Sequence, residues 1–222
     1  MTSPASKRTA SDGGLFRLSR EWIAARLAQP VPPQPDARHI AALPAGARVT
    51  HAAVLVPLIH RGDEVNVLLT QRTAHLYDHP SQISFPGGRV ETSDRDRAET
   101  ALREAEEEIG LARSRIDIIG GLPDYEIPSG FRISPVVGWI EPPFELRLDP
   151  FEVAEAFEVP LPFFLDPAHH QRRAYHFEGR DRDYIAIPYH GRYIWGATAG
   201  MLFSLYWQLH GPRAEPSELL PP

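Results

Sequence analysis

Residues 96–109 constrain this chain more than any other segment. Taken at about 100° per residue, Ala98, Ala101, Leu102, Ala105 and Ile109 fall on one stripe, which predicts a helix that buries that stripe. Glu104, Glu107 and Glu108 fall together on another face, spaced i, i+3 and i+4, with no lysine among them. Like charges at this spacing each cost a few tenths of a kcal/mol, and Arg103 can offset part of that through Glu99 and Glu107, each four residues away. Gly110 stands where a left-handed C-cap would end the helix. Just upstream, Phe85-Pro86-Gly87-Gly88 reads as a short strand running into a glycine loop, where the missing side chains let backbone amides and carbonyls approach a ligand. A solvated charged face is the ordinary reading of such a helix. Three carboxylates beside a glycine loop point instead to a hard divalent cation, Mg²⁺ or Mn²⁺, bound together with a phosphate.

The rest of the chain organises around this helix. Residues 1–14 are small and polar and are expected to be a disordered N-terminus. Residues 15–47 read as an N-terminal helix over 15–27 followed by a Pro-rich linker. The helix has one stripe of Leu15, Leu18, Trp22 and Ala25 and a second of Phe16, Ile23 and Leu27. It is expected to dock on the domain, or on a second copy to make a homodimer. The main domain is expected over 48–210. There, 52–59 and 65–71 form a strand hairpin, 83–85, 116–122 and 133–140 are further strands, and 160–164 is a short turn or helix. Residues 173–178 and 184–188 pair as polar strands, and 198–209 is a closing amphipathic helix. Residues 211–222 are a Pro-rich tail. Hairpin strands with few helices predict an α/β fold, a mixed sheet covered by helices.

Composition narrows the function. At 222 residues the chain suits one domain with extensions. The formal charge of −6, from 23 basic and 29 acidic residues, argues against a nucleic-acid partner, which needs a basic surface. The absence of cysteine excludes disulfides, zinc–thiolate sites and thiol nucleophiles. No apolar run approaches the roughly 20 residues of a membrane span, and residues 1–15 lack the apolar stretch of a secretory signal, so no membrane contact and a cytoplasmic location are expected.

The segment from Gly88 to Leu111, GRVETSDRDRAETALREAEEEIGL, resembles the Nudix box: a glycine, a spacer, an acid, a spacer, then Arg-Glu-x-x-Glu-Glu-x-Gly and an apolar residue. The second half is complete in Arg103-Glu104-Ala105-Glu106-Glu107-Glu108-Ile109-Gly110-Leu111. In the first half the acid is Asp94, with one residue more than usual before Arg103, a variation that resembles the coenzyme A diphosphatase subfamily. Leu68-Leu69-Thr70-Gln71-Arg72-Thr73, His79 and Gln82-Ile83-Ser84-Phe85-Pro86-Gly87-Gly88 are similar to that subfamily's upstream signature. There Pro80-Ser81 replaces a Ser-Gly pair. Residues 129–138 (SGFRISPVVG) and 194–199 (IWGATA) are also similar to subfamily members, so the resemblance spans roughly 48–210.

The resemblance implies a Nudix-type α/β/α sandwich and metal-dependent hydrolysis of the diphosphate of coenzyme A, with acyl forms as further substrates. The products would be 4′-phosphopantetheine and adenosine 3′,5′-bisphosphate. It implies Mg²⁺ or Mn²⁺ on Glu104, Glu107, Glu108 and the Gly87 carbonyl. Arg103 would orient the glutamates, and Asp94 would form an ion pair near the helix start. The base would be Glu104 or an acid outside the box. Glu126, Glu152 and Glu155 are candidates, with Glu152 first, in a loop before Val159-Pro160-Leu161. Arg72, Arg89 and Arg132 could hold phosphates or pair with local acids. Tyr125 and Phe131 could stack on adenine but are the usual stuff of cores, and His169-His170 read as loop rather than metal ligands. Open alternatives are a Nudix hydrolase of ADP-ribose, a dinucleotide or a nucleoside triphosphate, and a non-catalytic nucleotide-binding regulator.

Overall fold

The computed structural model describes residues 18–31, 48–75, 80–177 and 180–210. The expected disordered N-terminus, most of the Pro-rich linker, His79 and the tail lie outside them. The central sheet is built on β1 (Thr50–Arg61) and β2 (Glu64–Arg72), the expected hairpin, turning at Gly62. The further strands are β3 (Ile83–Ser84), β4 (Gly87–Arg89), β5 (Ile116–Gly121), β6 (Tyr125–Glu126), β7 (Phe131–Ile140) and β8 (Val153–Pro160). The strand order is β3-β2-β1-β7-β5, with β4 on β1, β6 on β7 and β8 on β2. Only β1 and β7 run parallel, so the sheet is mixed as predicted. A second sheet holds β9 (Gln171–Phe177), β10 (Arg180–Tyr189) and β11 (Arg192–Trp195).

Both faces of the central sheet are covered, which is why β1 reads as an unbroken apolar run. Ala53, Leu55 and Ile59 pack with Ala101, Ala105 and Ile109 of α2 (Arg97–Ile109). Ala52, Val56 and Leu58 face the larger core, which includes α1 (Arg20–Leu27), α3 (Leu161–Phe164) and α4 (Gly196–His210). This is the expected α/β/α sandwich.

Two expectations are corrected. The closing helix is not amphipathic: every residue of α4 from Thr198 to Leu209 is buried. Its outer side is taken by α1. The Gln208 amide donates to the carbonyls of Arg26 and Gln29, and Arg26 donates to the Leu209 carbonyl. A helix covered on all sides needs no polar stripe. The docking helix therefore docks on its own chain. Ser19 caps it, and Ile23 and Leu27 of the second stripe are its buried residues, while Ala25 is exposed. β8 is the second correction. Its sequence, VAEAFEVP, alternates poorly because a bulge breaks its pairing with β2: Gln71 faces Glu155 and Arg72 faces Val153, leaving Ala154 over.

Candidate functional site

Helix α2 forms as its ends dictate. Asp96 accepts from the Glu99 amide at the N-terminus, and Gly110 closes the C-terminus at φ 65°. The preceding glycines are not in a loop. They form β4, paired antiparallel with β1 at Val54↔Gly87 and Ala53↔Gly88. A Cβ on Gly87 would come 2.5 Å from the Ala53 carbonyl oxygen, and one on Gly88 would come 2.5 Å from the Glu104 carboxyl carbon. One glycine lets β4 lie against β1; the next admits the Glu104 side chain.

The three helix glutamates differ sharply. Glu107 is exposed, Glu104 is largely covered, and Glu108 is buried. Burial pushes the Glu108 carboxyl up to about 8, helped by the charges of Glu104 and Glu152 and opposed by Arg72 and the Gly87 amide. Burial also raises Glu104, against the pull of Arg103. Glu152 thus reaches both carboxylates electrostatically. It sits in the turn before Val153, with its amide on the Asp149 carbonyl and its own carbonyl accepting from Thr73. The loop it occupies precedes β8, not the Val159-Pro160-Leu161 segment.

Arg103 is the organiser on the opposite side. Its Nε and Nη2 each lie 3.1 Å from Asp94 oxygens, its Nη1 lies 2.9 Å from Glu104 and 3.1 Å from Glu107, and Nη2 donates to the Arg89 carbonyl at 3.0 Å. The Asp94 side chain is 2% exposed and also accepts from Thr100 Oγ1 and the Glu91 amide. The Arg103 guanidinium holds it well below the usual carboxylate range. The expected Arg103–Glu99 pair does not form. Glu99 is held by Arg95 at 2.8 Å, which the i, i+4 geometry serves equally well. The Thr100 contact to Asp94, six residues away, carries no recognisable spacing signal.

The remaining candidates separate by location. Arg72 is the arginine whose charge reaches Glu108. Arg89 lies over the Phe131 ring, 5.4 Å from its centroid. Arg132 grips Glu126 through Nε and Nη2 at 2.9 and 2.8 Å, and Glu155 pairs with Arg192. Tyr125 is core, packed so closely on α4 that a Cβ on Gly200 would strike its ring. His169 stacks on Phe163, and buried His170 bonds the Phe164 carbonyl. Ser81 adopts φ 60°, the left-handed conformation that glycine takes without strain.

Among the described residues, no group of three or more His, Asp or Glu side chains stands in a geometry that could hold a metal ion. Arg103 draws Glu104 and Glu107 to itself, while Glu108 is buried outside that network of ion pairs, within electrostatic reach of Glu104. The donors still fit a hard divalent ion in kind and charge. They are carboxylate oxygens, and Glu108 is driven toward protonation by its burial and by neighbouring Glu104 and Glu152.

The model of the NUDIX domain family matches residues 49–179. This chain belongs to the Nudix family. Two curated Nudix relatives, described as uncharacterized Nudix hydrolase NudL from Enterobacter sp. (strain 638) and from Escherichia coli (strain K12), are each 37% identical over 158 residues, covering 71% of this chain and 82% of theirs. Solved Nudix structures are more distant. An Ap4A hydrolase binary complex from C. elegans is 22% identical over 51% of this chain and 82% of its own, with a TM-score of 0.43. A NUDIX hydrolase from Alicyclobacillus acidocaldarius is 19% identical over 55% of this chain and 83% of its own, with a TM-score of 0.44. Among the described residues, no helix is long and apolar enough to cross a membrane.

Proposed function

We propose that this Nudix hydrolase cleaves the diphosphate of coenzyme A, and of acyl-coenzyme A, to 4′-phosphopantetheine and adenosine 3′,5′-bisphosphate. The observation that carries the reading is Glu108, buried under β4 beside the charges of Glu104 and Glu152. A buried carboxyl that feels two like charges is destabilised when ionised, and a bound cation would relieve it. Glu104, Glu107 and Glu108, with the Gly87 carbonyl, would hold Mg²⁺ or Mn²⁺, and the substrate choice rests on the resemblance around Gln71, Arg72 and 82–88. The relatives' name supports the reaction class and leaves the substrate to experiment.

When bound, the ion supplies charge neutralisation of the diphosphate and a lowered pKa for water. The protein's own groups do the rest. Arg72 places positive charge within reach of Glu108, where it would help to hold a phosphate. Glu152 takes the proton as the water oxygen bonds to one phosphorus. The bond between that phosphorus and the bridging oxygen breaks, and the other phosphate leaves as an anion carrying that oxygen. Glu104 is the competing base. Arg103 is a positioning residue: four of its contacts fix Glu104 and Glu107 relative to Asp94 and β4. Arg89 and Arg132 would contact the substrate's outer phosphates, Arg132 after release from Glu126.

The test is Glu108→Gln, assayed on coenzyme A, ADP-ribose, a dinucleotide and a nucleoside triphosphate. The expected loss of turnover is about a hundredfold or more on whichever substrate is cleaved. Thermal stability should be unchanged or raised at pH 8, because Gln removes a buried carboxylate whose folded pKa is raised. Wild-type turnover in the variant would remove Glu108 from the site. Cleavage of another compound with coenzyme A left intact would keep the site and overturn the substrate.

A further inference from the structure

A groove of about 410 Å³ opens at the edge of the central sheet, walled on one side by Gln71 and Gln82 and on the other by Tyr193 and Trp195. Its size lies within the range of small-molecule sites. It adjoins the acidic site through β2, where Gln71 lines the groove and the next residue, Arg72, reaches Glu108. The extra residue is in β8, so β2 keeps its alternation: Gln71 faces the groove with Glu155, while Arg72 faces the α2 side with Val153, and the groove and the acidic site lie on the two faces of the sheet at the end of this strand. The far wall is the β10–β11 hairpin, which lies beyond the 49–179 stretch matched by the family model.

Three features of the lining define what it would take. The first is electrostatic. Arg192, the one arginine in the lining, is paired with Glu155, and its guanidinium also lies 4.2 Å from the Phe157 ring centroid. The groove's charge is balanced from within, so it favours a neutral group over a phosphate. The second is aromatic. Tyr193 and Trp195 share one face of β11 and are 44% and 40% exposed, unusual for large rings on a strand of this core. Tyr184 braces them from β10, its hydroxyl 3.1 Å from that of Tyr193 and its ring edge-on to Trp195. The third is backbone strain. Among the described residues, the two non-glycine residues at positive φ, Ser81 at 60° and His190 at 44°, both line this groove, one in each wall. His190 takes its φ from the two-residue β10–β11 turn between paired Tyr189 and Arg192, so the strained position is Ser81, in the opposite wall.

We propose that this groove seats the purine ring of the adenine nucleotide, stacked on Trp195 and read at its edge by the side-chain amides of Gln82 and Gln71. A carboxamide matches the adjacent donor and acceptor of adenine N6 and N7, and an aromatic plane matches the base's face. The inference rests on the reading of the site as a diphosphate hydrolase only for the placement of the phosphates. It applies to any adenine-bearing substrate.

Calorimetric titration in Mg²⁺ buffer with 5′-AMP, ribose 5-phosphate and 4′-phosphopantetheine tests it. In the wild type, 5′-AMP should bind about ten- to a hundredfold more tightly than ribose 5-phosphate, the size of one base-stacking contact. Trp195→Ala should close most of that gap and leave ribose 5-phosphate unaffected. Gln82→Met should reduce the preference for 5′-AMP over 5′-IMP, which provides a second variant if Trp195→Ala folds poorly. An unchanged gap in Trp195→Ala, no binding of 5′-AMP at millimolar concentration, or a Trp195→Ala defect confined to phosphopantetheine would each overturn the proposal. The gap should persist in Glu108→Gln. A groove that binds 5′-AMP in a protein that leaves coenzyme A intact would therefore condemn the substrate assignment and not the groove.

Discussion

Asp94→Asn is the sharpest probe of how the helix is anchored. Asp94 sits at 2% side-chain exposure and receives both Nε and Nη2 of Arg103, the Thr100 hydroxyl and the Glu91 amide. Asn keeps the shape and can keep accepting from Thr100 or Glu91, but it removes the charge that Arg103 faces. Arg103 is itself only 11% exposed, so an enclosed cation loses its best partner. Breaking such pairs costs about 3–5 kcal/mol when they are fully dry. Arg103 retains Glu104 and Glu107, so we expect about 3 kcal/mol at pH 7. The pH dependence has a definite sign. The folded-state pKa of Asp94 is depressed, so its contribution is fully present above the unfolded value near 4 and is lost as pH falls below it. Urea unfolding of wild type and Asp94→Asn at pH 7 and pH 3 reads this directly. The difference between them should shrink at the lower pH. A difference below about 1 kcal/mol at pH 7, or one that is the same at both pH values, would refute the argument.

Other substitutions test neighbouring steps. Gly88→Ala places a methyl group against the Glu104 carboxylate, the movable end of a side chain, so the fold should survive while turnover falls at least tenfold; equal kcat in a steady-state assay would show that Glu104 need not sit there. Ser81→Gly relieves a left-handed residue and should raise stability by up to about 1 kcal/mol in thermal unfolding. Buried His170, held down to about pKa 4 chiefly by burial, should make the protein lose stability as pH falls from about 6.5 toward 4, and His170→Gln should flatten that part of the curve.

What was legible in the sequence follows how local each cause is. Asp96, Gly110 and the stripe through Ala101, Ala105 and Ile109 define α2 from within one segment, and the structure has the helix as read. Glu152 beside Glu104 and Glu108 was legible only as a ranking among three acids, because it arrives through β8 pairing with β2. β8 itself was missed for the same reason: a bulged edge strand with two glutamates has no clean period. The burial of α4 was invisible because its outer cover, α1, comes from the far end of the chain. The sequence shows glycine at Gly88 as room for a ligand, whereas the room there is filled by Glu104.

We propose that the carboxylates beneath β4 serve hydrolysis of the coenzyme A diphosphate. Mass-resolved analysis of the products formed from coenzyme A with Mg²⁺, with Mn²⁺ and with chelator tests it most directly. The expected products are 4′-phosphopantetheine and adenosine 3′,5′-bisphosphate, formed with either ion and absent with chelator. Intact coenzyme A under all three conditions, while ADP-ribose or a dinucleotide is cleaved, would contradict it.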